Sequence, residues 1–362
     1  MATSVSTAEA TRVSVWAHIK QNLAVVVLVV LLVALPFLIG ILDGYSVADV
    51  LVNGSGQSTF IQGLLIEVFI LAVFAISYDL VLGVTGLLSF GHAMFFGVGA
   101  YLTGILLKSF GWSLLATIGA VIIAGIVQAL LFSIVLPRVK GITFALVTLG
   151  MASVFYIMIG TRELAPYTGA DVGLQGIPRP DFLNPATERL RFYFLALAFA
   201  LAVYVLYRRI VSSPTGRVCI AVRENEGRAR MLGFNTFHFK VVALTVASIT
   251  AALAGAMYAL YQPIVSPHVA SMGYTVSALL MVLIGGLGTL SGPMIGAALV
   301  RLLDFYLFKW FGEGAAFLMG ALYVIFVLFV PYGIVGTWRL RSLEWRNGWR
   351  RRLRMLRRAG ER

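Results

Sequence analysis

Long apolar runs, separated by short polar segments, occupy most of the chain. The first run, Leu23–Gly40, contains no charged residue. Hydrocarbon about 30 Å thick needs roughly 20 apolar residues at about 1.5 Å rise per residue. The pattern therefore predicts an all-α, polytopic membrane helical bundle of about ten spans. The predicted spans are 23–42, 61–82, 95–108, 113–136, 141–160, 192–210, 241–262, 274–286, 290–308 and 316–336.

Composition agrees with a chain whose main solvent is lipid. Hydrophobic residues make up 60% of the 362 residues and charged residues only 12%, whereas soluble domains carry about 25% charged residues. The 37 glycines suit close helix packing in a membrane. No A-x-A cleavage signature follows the first run, so we expect a retained span and not a signal peptide. The single cysteine, Cys219, excludes an internal disulfide.

Arginine and lysine near the span ends predict the topology. The segment 339–362 holds ten Arg and two Glu, and the segment 208–240 holds seven basic and two acidic residues. Basic loops stay in the cytoplasm. An even number of spans returns the chain to the same side of the membrane. Even numbers of predicted spans separate the N-terminus, the turn at Pro137 and the two basic segments, so both termini are predicted inside (N-in/C-in).

The predicted organisation has three parts. Residues 1–22 form a cytoplasmic N-terminal segment, 23–338 a transmembrane domain, and 339–362 a basic cytoplasmic tail. The domain includes a charged cytoplasmic loop, 211–238, and a neutral, Pro-rich periplasmic loop, 161–191. The tail could be a nucleic-acid arm. Interleaved Trp345, Trp349 and Leu353 favour an interfacial helix on anionic lipid headgroups.

Two glycine clusters interrupt apolar sequence and are the first candidates for a translocation path. Five glycines lie between Gly83 and Gly99, and each costs a helix about 1 kcal/mol relative to Ala. A second cluster with a proline spans 283–293. Broken membrane helices survive where they are buried in protein or face water, so close helix packing and a pathway role both remain open.

The clusters show a weak internal similarity. Gly86 and Gly286, like Leu87 and Leu287, are identical at an offset of 200 residues. Paired interruptions point to a site between repeats in many transporters, although so few matches do not establish a repeat. The candidate pathway residues are Ser89, Phe90, His92, Thr168, Gly286 and Thr289.

The cytoplasmic segment 214–234 is long, charged and amphipathic. Val218, Val222, Ala229 and Leu232 could form one apolar stripe. Two interpretations remain: a surface that docks into a cytoplasmic partner, or a solvated basic loop that only sets topology. The candidate docking residues are Arg217, Arg223, Glu224, Asn225, Glu226, Leu232 and Gly233.

Charged residues inside predicted spans are costly and tend to pair. Arg301 and Asp304 lie three residues apart and are expected to form a structural pair. Glu67 and Asp79 have no evident partner in the sequence. In the periplasmic loop, the run from Tyr167 to Leu174 is either an exposed turn or part of the lining of the path.

Several kinds of chemistry find no motif in this sequence. No lysine follows a glycine, so no G-x-x-x-x-G-K-[ST] phosphate loop is present. No zinc pattern, HExxH motif, nucleophile elbow or catalytic carboxylate pair appears either. We therefore expect no catalytic residue and no metal site, and consider a membrane enzyme less favoured than a transport protein.

Taken together, these segments resemble the permease family of branched-chain amino acid importers, in its LivM-like branch. The resemblance covers about residues 60–336 and rests on order and spacing. The matching runs are Ser89-Phe90-Gly91-His92-Ala93, Gly216-Arg217, Ala221-Val222-Arg223-Glu224-Asn225-Glu226, Leu232-Gly233, Gly285-Gly286-Leu287-Gly288-Thr289-Leu290-Ser291-Gly292-Pro293 and Pro331-Tyr332-Gly333. One departure is Ala170, where the family usually has Gly, and Ala resists positive φ.

The resemblance implies one subunit of a type II-like ABC importer in the bacterial inner membrane. Its partners would be a second, LivH-like permease or a second copy, two cytoplasmic ATP-binding subunits, and a periplasmic solute-binding protein. ATP and Mg²⁺ would bind to the partner subunits, and no cofactor to this chain. Glu224 and Glu226 would face basic residues of the ATPase, and Arg223 would orient the loop.

Alternatives to that function remain at the level of sequence. Related permeases carry branched-chain amino acids, urea, short amides or aromatic acids, and family frequency favours the first. A secondary transporter or channel is the rival of another class, and it would need no large docking loop.

Overall fold

The computed structural model describes residues 23–46, 56–330 and 332–338. The predicted N-terminal segment, the basic tail with its interfacial helix, and Pro331 of the last motif lie outside these residues. The described helices are α1 (Leu23–Leu42), α2 (Gln57–Asp79), α3 (His92–Lys108), α4 (Leu114–Ser133), α5 (Ile142–Ile159), α6 (Arg189–Ser212), α7 (Pro214–Met231), α8 (Thr236–Tyr261), α9 (Met272–Gly285), α10 (Ser291–Phe311) and α11 (Ala315–Phe329).

Short elements connect these helices. A π-helical turn, Leu80–Val84, follows α2, and one α-helical turn, Ala165–Thr168, follows α5. Turns of 3₁₀ helix cover Ala170–Val172, Asp181–Leu183, Pro267–Ala270 and Gly312–Gly314. Two-residue strands β1 (Leu174–Gln175) and β2 (Ile264–Val265) pair antiparallel. The pairing ties the loop after α5 to the loop after α8.

The helices are apolar over membrane-spanning lengths, which confirms the predicted all-α membrane bundle. Among the described residues, six segments are long and apolar enough to cross a membrane: Gln57–Val84, Leu114–Ser133, Ile142–Ile159, Arg189–Ser212, Thr236–Tyr261 and Ser291–Trp338. Three shorter apolar helices cover Val26–Leu42, His92–Lys108 and Met272–Gly285. Large apolar side chains remain exposed on α1, α4, α5 and α11, as expected of a surface that faces lipid.

The core lies where α2 and α8 meet their neighbours. Helix α8 packs against α2, α3 and α4, and α10 packs against α2, α9 and α11. Every residue of α2 from Ala72 to Asp79 is buried. Small residues allow this packing: a Cβ atom on Gly99 would overlap the carbonyl of Ala252, and one on Gly255 would overlap the carbonyl of Phe96. Because lipid leaves no hydrophobic driving force between helices, close backbone packing stabilises the bundle instead.

Candidate functional site

A polar cavity of about 380 Å³ lies among α2, α8, α9, α10 and α11. Its polar lining residues are Glu67, Gln262, His268, Ser277, Arg301 and Asp304. Its aromatic lining residues are Phe74, Tyr258, Tyr274 and Tyr323. The volume falls within the usual range of small-molecule sites, about 300–1,000 Å³.

An ion-pair network forms one wall of this cavity. Arg301 donates from Nε and Nη2 to Glu67 Oε2, and its Nη1 lies 3.1 Å from Asp304 Oδ2. Gln262 Nε2 donates to Glu67 Oε1 at 2.8 Å. The side chains of Glu67 and Arg301 are 18% and 24% exposed. The network therefore joins α2, α10 and the end of α8 inside the bundle.

The sequence predicted only half of this network. Arg301 and Asp304 do pair, as their spacing suggested. Glu67, left without a partner at that level, is the main partner of Arg301 from 234 residues away. A carboxylate inside a long apolar run was the available signal, because such residues mark functional sites by default.

The two glycine clusters break the helices and meet each other. The chain leaves helix between Thr85 and Gly91 and between Gly286 and Leu290. Asp79, at the end of α2, bridges the breaks: its Oδ1 accepts from Gly288 N at 2.7 Å and its Oδ2 from Leu290 N at 3.4 Å. Leu290 itself has φ +59°, a strained conformation for a bulky residue.

Helix α7 touches both breaks through one side chain. Arg223 Nη1 donates to the carbonyl oxygen of Gly83. A Cβ atom on Gly86 would lie 3.0 Å from Arg223 Cγ, and one on Gly288 would lie 3.0 Å from Arg223 Nη1. The glycines thus leave room for the arginine, which connects α7 to the segments that interrupt the bundle.

Helix α7 consists of two helical stretches joined at Asn225, which has φ −159° and ψ 99°. Ser213 Oγ accepts from Gly216 N at 3.2 Å and begins the first stretch. Asn225 Oδ1 accepts from Arg228 N at 2.9 Å and begins the second. Gly233 follows with φ +87°, so the chain turns sharply into α8.

The buried and exposed faces of α7 are distinct. Gly216, Cys219, Val222 and Ala229 are buried, so two members of the predicted stripe are in the core. Leu232 is 75% exposed instead, beside Met231 at 87%, because the chain turns after Met231. Arg217, Glu224 and Asn225 are also exposed.

Glu226 has partners within its own chain. Its Oε1 lies 2.8 Å from Lys240 Nζ, 2.6 Å from Arg230 Nη2 and 3.0 Å from Thr236 Oγ1. Partial burial alone would raise the pKa of this carboxyl, but the hydrogen bond and charge of Lys240, with Thr236 and Arg230, hold the pKa at about 2. This carboxylate fastens α7 to α8.

The six predicted pathway residues do not gather at one place. Ser89 and His92 are fully buried, with His92 Nε2 2.8 Å from Ser77 Oγ. Thr168 lines a separate apolar cavity of about 310 Å³. Gly286 has φ +124° and accepts from Thr289 Oγ1 at 2.6 Å. Neither these residues nor Phe90 are among the described residues that line the polar cavity.

Within the described ranges, no group of three or more His, Cys, Asp or Glu residues could hold a metal ion. The aromatic and amide members of the polar cavity, Tyr258, Tyr274 and Gln262, were missed at the sequence level because isolated polar groups near helix ends are common.

Known proteins resemble this chain along most of its length. The family model described as "Branched-chain amino acid transport system / permease component" matches residues 60–330. The high-affinity branched-chain amino acid transport system permease protein LivM of Escherichia coli K12 is 26% identical over 358 residues, covering 91% of this chain and 78% of that protein. LivM of Salmonella typhimurium is 25% identical over 345 residues, covering 88% of this chain and 75% of that protein.

The second permease type of these systems also resembles the chain. LivH of Escherichia coli K12 is 25% identical over 292 residues, covering 73% of this chain and 91% of LivH. No solved structure matches. Since the family model covers most of the residues and the helices form a multi-pass membrane bundle, the chain belongs to the permease component family of branched-chain amino acid ABC transport systems.

Proposed function

We propose that this chain forms half of the translocation path of an ATP-driven importer for branched-chain amino acids in the bacterial inner membrane. The observation that carries the proposal is α7. It is a polar helix outside the apolar bundle, it exposes Met231 and Leu232, and it reaches both broken segments through Arg223. Such a helix suits a partner that supplies energy from the membrane surface.

The proposed topology has ten spans, formed by α1–α6 and α8–α11, with both termini in the cytoplasm. The basic residues around α7 support a cytoplasmic position for this helix. Six of the ten proposed spans precede α7 and four follow it, so α7 lies on the same side of the membrane as both chain ends. The paired strands β1 and β2 then lie on the periplasmic side, where a binding protein would deliver solute.

The proposed partners are two ATP-binding subunits, a periplasmic solute-binding protein and a second permease, either LivH-like or another copy of this chain. ATP and Mg²⁺ bind to the ATPases. Glu224, Arg217 and the apolar pair Met231 and Leu232 form the docking face, since they are exposed. Movement of α7 is transmitted by Arg223 to the breaks beside Asp79.

Charge reversal at Glu224 tests the docking face. We expect Glu224→Arg to reduce ATPase co-purification and leucine uptake together, by about tenfold for a lost charged contact. The matched control for co-purification is Glu163→Arg, which makes the same change at an exposed residue of the loop after α5, on the opposite side of the membrane in the proposed topology. Unchanged co-purification and uptake in Glu224→Arg would show that α7 is not the docking helix.

A further inference from the structure

The cavity around Glu67 and Arg301 lies at the depth where a transported solute would be held. Glu67 is the eleventh residue of α2, and Arg301 is the middle residue of α10. Each is thus about 15 Å along its helix from the helix start, within the apolar part of the helix. Charges at this depth that face a cavity mark solute or ion pathways.

The cavity adjoins broken helices. Helix α2 continues through the π-helical turn Leu80–Val84 to the first break, and α9 and α10 flank the second. All three helices contribute lining residues. Transporters commonly place their solute site near the bilayer midplane, next to interrupted helices.

The charges of the cavity are unequal and of both signs. Two carboxylates, Glu67 and Asp304, face one guanidinium, Arg301. Together these three side chains carry one excess negative charge. The contacts of Arg301 use Nε–H and one N–H on each Nη, so two of its five N–H groups remain for a ligand carboxylate.

Aromatic rings and apolar side chains cover the rest of the wall, the latter from Leu71, Met281, Val300 and Met319. Phe74, Tyr258, Tyr274 and Tyr323 line the cavity with the charged residues. Aromatic faces attract cations within about 6 Å, and they also pack against apolar side chains. A small molecule with an ammonium, a carboxylate and an apolar group would find a partner for each.

We propose that this cavity is a solute-binding site of the permease itself, which takes a small zwitterion. Arg301 binds the carboxylate of the solute. Glu67 and Asp304, with the tyrosine rings, hold its ammonium, and Phe74 contacts its apolar side chain. The proposal rests on the proposed function and adds that the permease itself recognises both charges of an α-amino acid.

Cysteine labelling in the assembled complex tests the site. Cys219, the only cysteine of the chain, is buried, so Cys219→Ala gives a background without cysteine. Ser277→Cys then places one thiol in the cavity wall. The complex, with partner cysteines also replaced, is reconstituted in nanodiscs, and the rate of methanethiosulfonate labelling is measured with and without L-leucine.

The expected result is protection that requires both charges of the solute. At ten times its half-protecting concentration, leucine should slow labelling about tenfold. At the same concentration, 4-methylpentanoate, which lacks the ammonium, and 3-methylbutylamine, which lacks the carboxylate, should protect far less. Labelling that leucine does not slow would overturn the proposal. A thiol at position 277 that does not react because a side chain of the partner permease covers it in the complex would also overturn the proposal.

Neutralising the ion pair is the decisive comparison. Glu67→Gln with Arg301→Gln should raise the half-protecting leucine concentration about 10- to 100-fold. The control is Glu188→Gln with Arg191→Gln, a surface pair 3.2 Å apart outside the cavity, which should leave protection unchanged. If the double variant fails to assemble, Glu67→Gln alone serves: the advantage of leucine over 4-methylpentanoate should then shrink, because one of the groups that hold the ammonium is lost.

Two outcomes separate this proposal from the function on which it rests. If the complete wild-type complex shows no ATP-dependent leucine uptake, the proposed function is wrong. If uptake is normal but protection is the same in the wild type and in the neutralised variants, the function stands and the cavity is not the solute site.

Discussion

Two small ion networks, one in the cavity and one between α7 and α8, have opposite ratios of acidic to basic side chains. In the cavity, two carboxylates share Arg301. At α7, Glu226 is shared by Arg230 and Lys240. The first network joins helices far apart in sequence at the middle of the bundle, and the second joins consecutive helices. In our proposal, the same chemistry serves recognition where it faces a cavity inside the bundle, and attachment where it links two consecutive helices.

The largest expected effect comes from a substitution that breaks the ion network of the cavity. Arg301→Leu leaves Glu67 unpaired inside the bundle, and removing one partner of a buried pair costs about 3–5 kcal/mol. Thermal unfolding of the complex in detergent measures this loss. The control, Arg191→Leu, removes a residue that is 65% exposed and should cost less than about 1 kcal/mol. Equal losses in the two variants would mean that Glu67 does not depend on Arg301.

The next effect separates attachment from transmission at α7. Arg223→Ala removes the contact with Gly83 but leaves the exposed docking face intact. We expect ATPase subunits to co-purify normally while leucine transported per ATP hydrolysed falls about tenfold, because one charged hydrogen bond is lost. Arg228→Ala, on the same helix, is the control. A normal transport ratio in Arg223→Ala would exclude this side chain as the connection.

Protonation of Glu226 should weaken the attachment of α7 to α8 only at very low pH. The Glu226 pKa of about 2 lies below its ordinary 4.5. A lowered carboxyl pKa stabilises the folded state above the ordinary value, and this contribution is lost as pH falls through the folded pKa. The mobility of a spin label at Met231→Cys, in the Cys219→Ala background, should therefore stay constant from pH 8 to about 5 and rise toward pH 2.

A matched variant sharpens the pH test. Glu226→Gln removes the titrating group, so its spin label should be more mobile throughout and insensitive to acid over the same range. If the wild-type label were released near pH 6, a histidine or another group would control the attachment, and Glu226 would not.

The smallest expected effect concerns the departure from the family pattern in the loop after α5. Ala170 has φ +48°, which costs a residue with a Cβ atom about 1–2 kcal/mol. Ala170→Gly should therefore stabilise the complex by about 1 kcal/mol in thermal unfolding. Ala165→Gly, in the one-turn helix, should have the opposite sign. Destabilisation by Ala170→Gly would show that the methyl group has a packing role.

The sequence predicted the apolar helices well because hydrophobic length is a local property. The predicted spans 141–160 and 241–262 correspond to α5, Ile142–Ile159, and α8, Thr236–Tyr261. The start of α2 was placed four residues late, since its first turn, Gln57–Phe60, is mostly polar. Both interruptions were also visible, because glycine and proline clusters are local signals.

The contacts that join distant segments were not predictable from one sequence. Glu67 and Arg301 are 234 residues apart, and Asp79 and Gly288 are 209 apart. Nothing in local composition says which carboxylate meets which donor. The interruptions could therefore be predicted, but the polar cavity and the Asp79 bridge required the fold.

Uptake by proteoliposomes containing the complete complex is the most direct test of the permease assignment. ATP-driven import predicts leucine accumulation that requires hydrolysable ATP and the binding protein, and that falls about tenfold in Glu224→Arg. Accumulation driven by an ion gradient without ATP would contradict it and identify a secondary transporter.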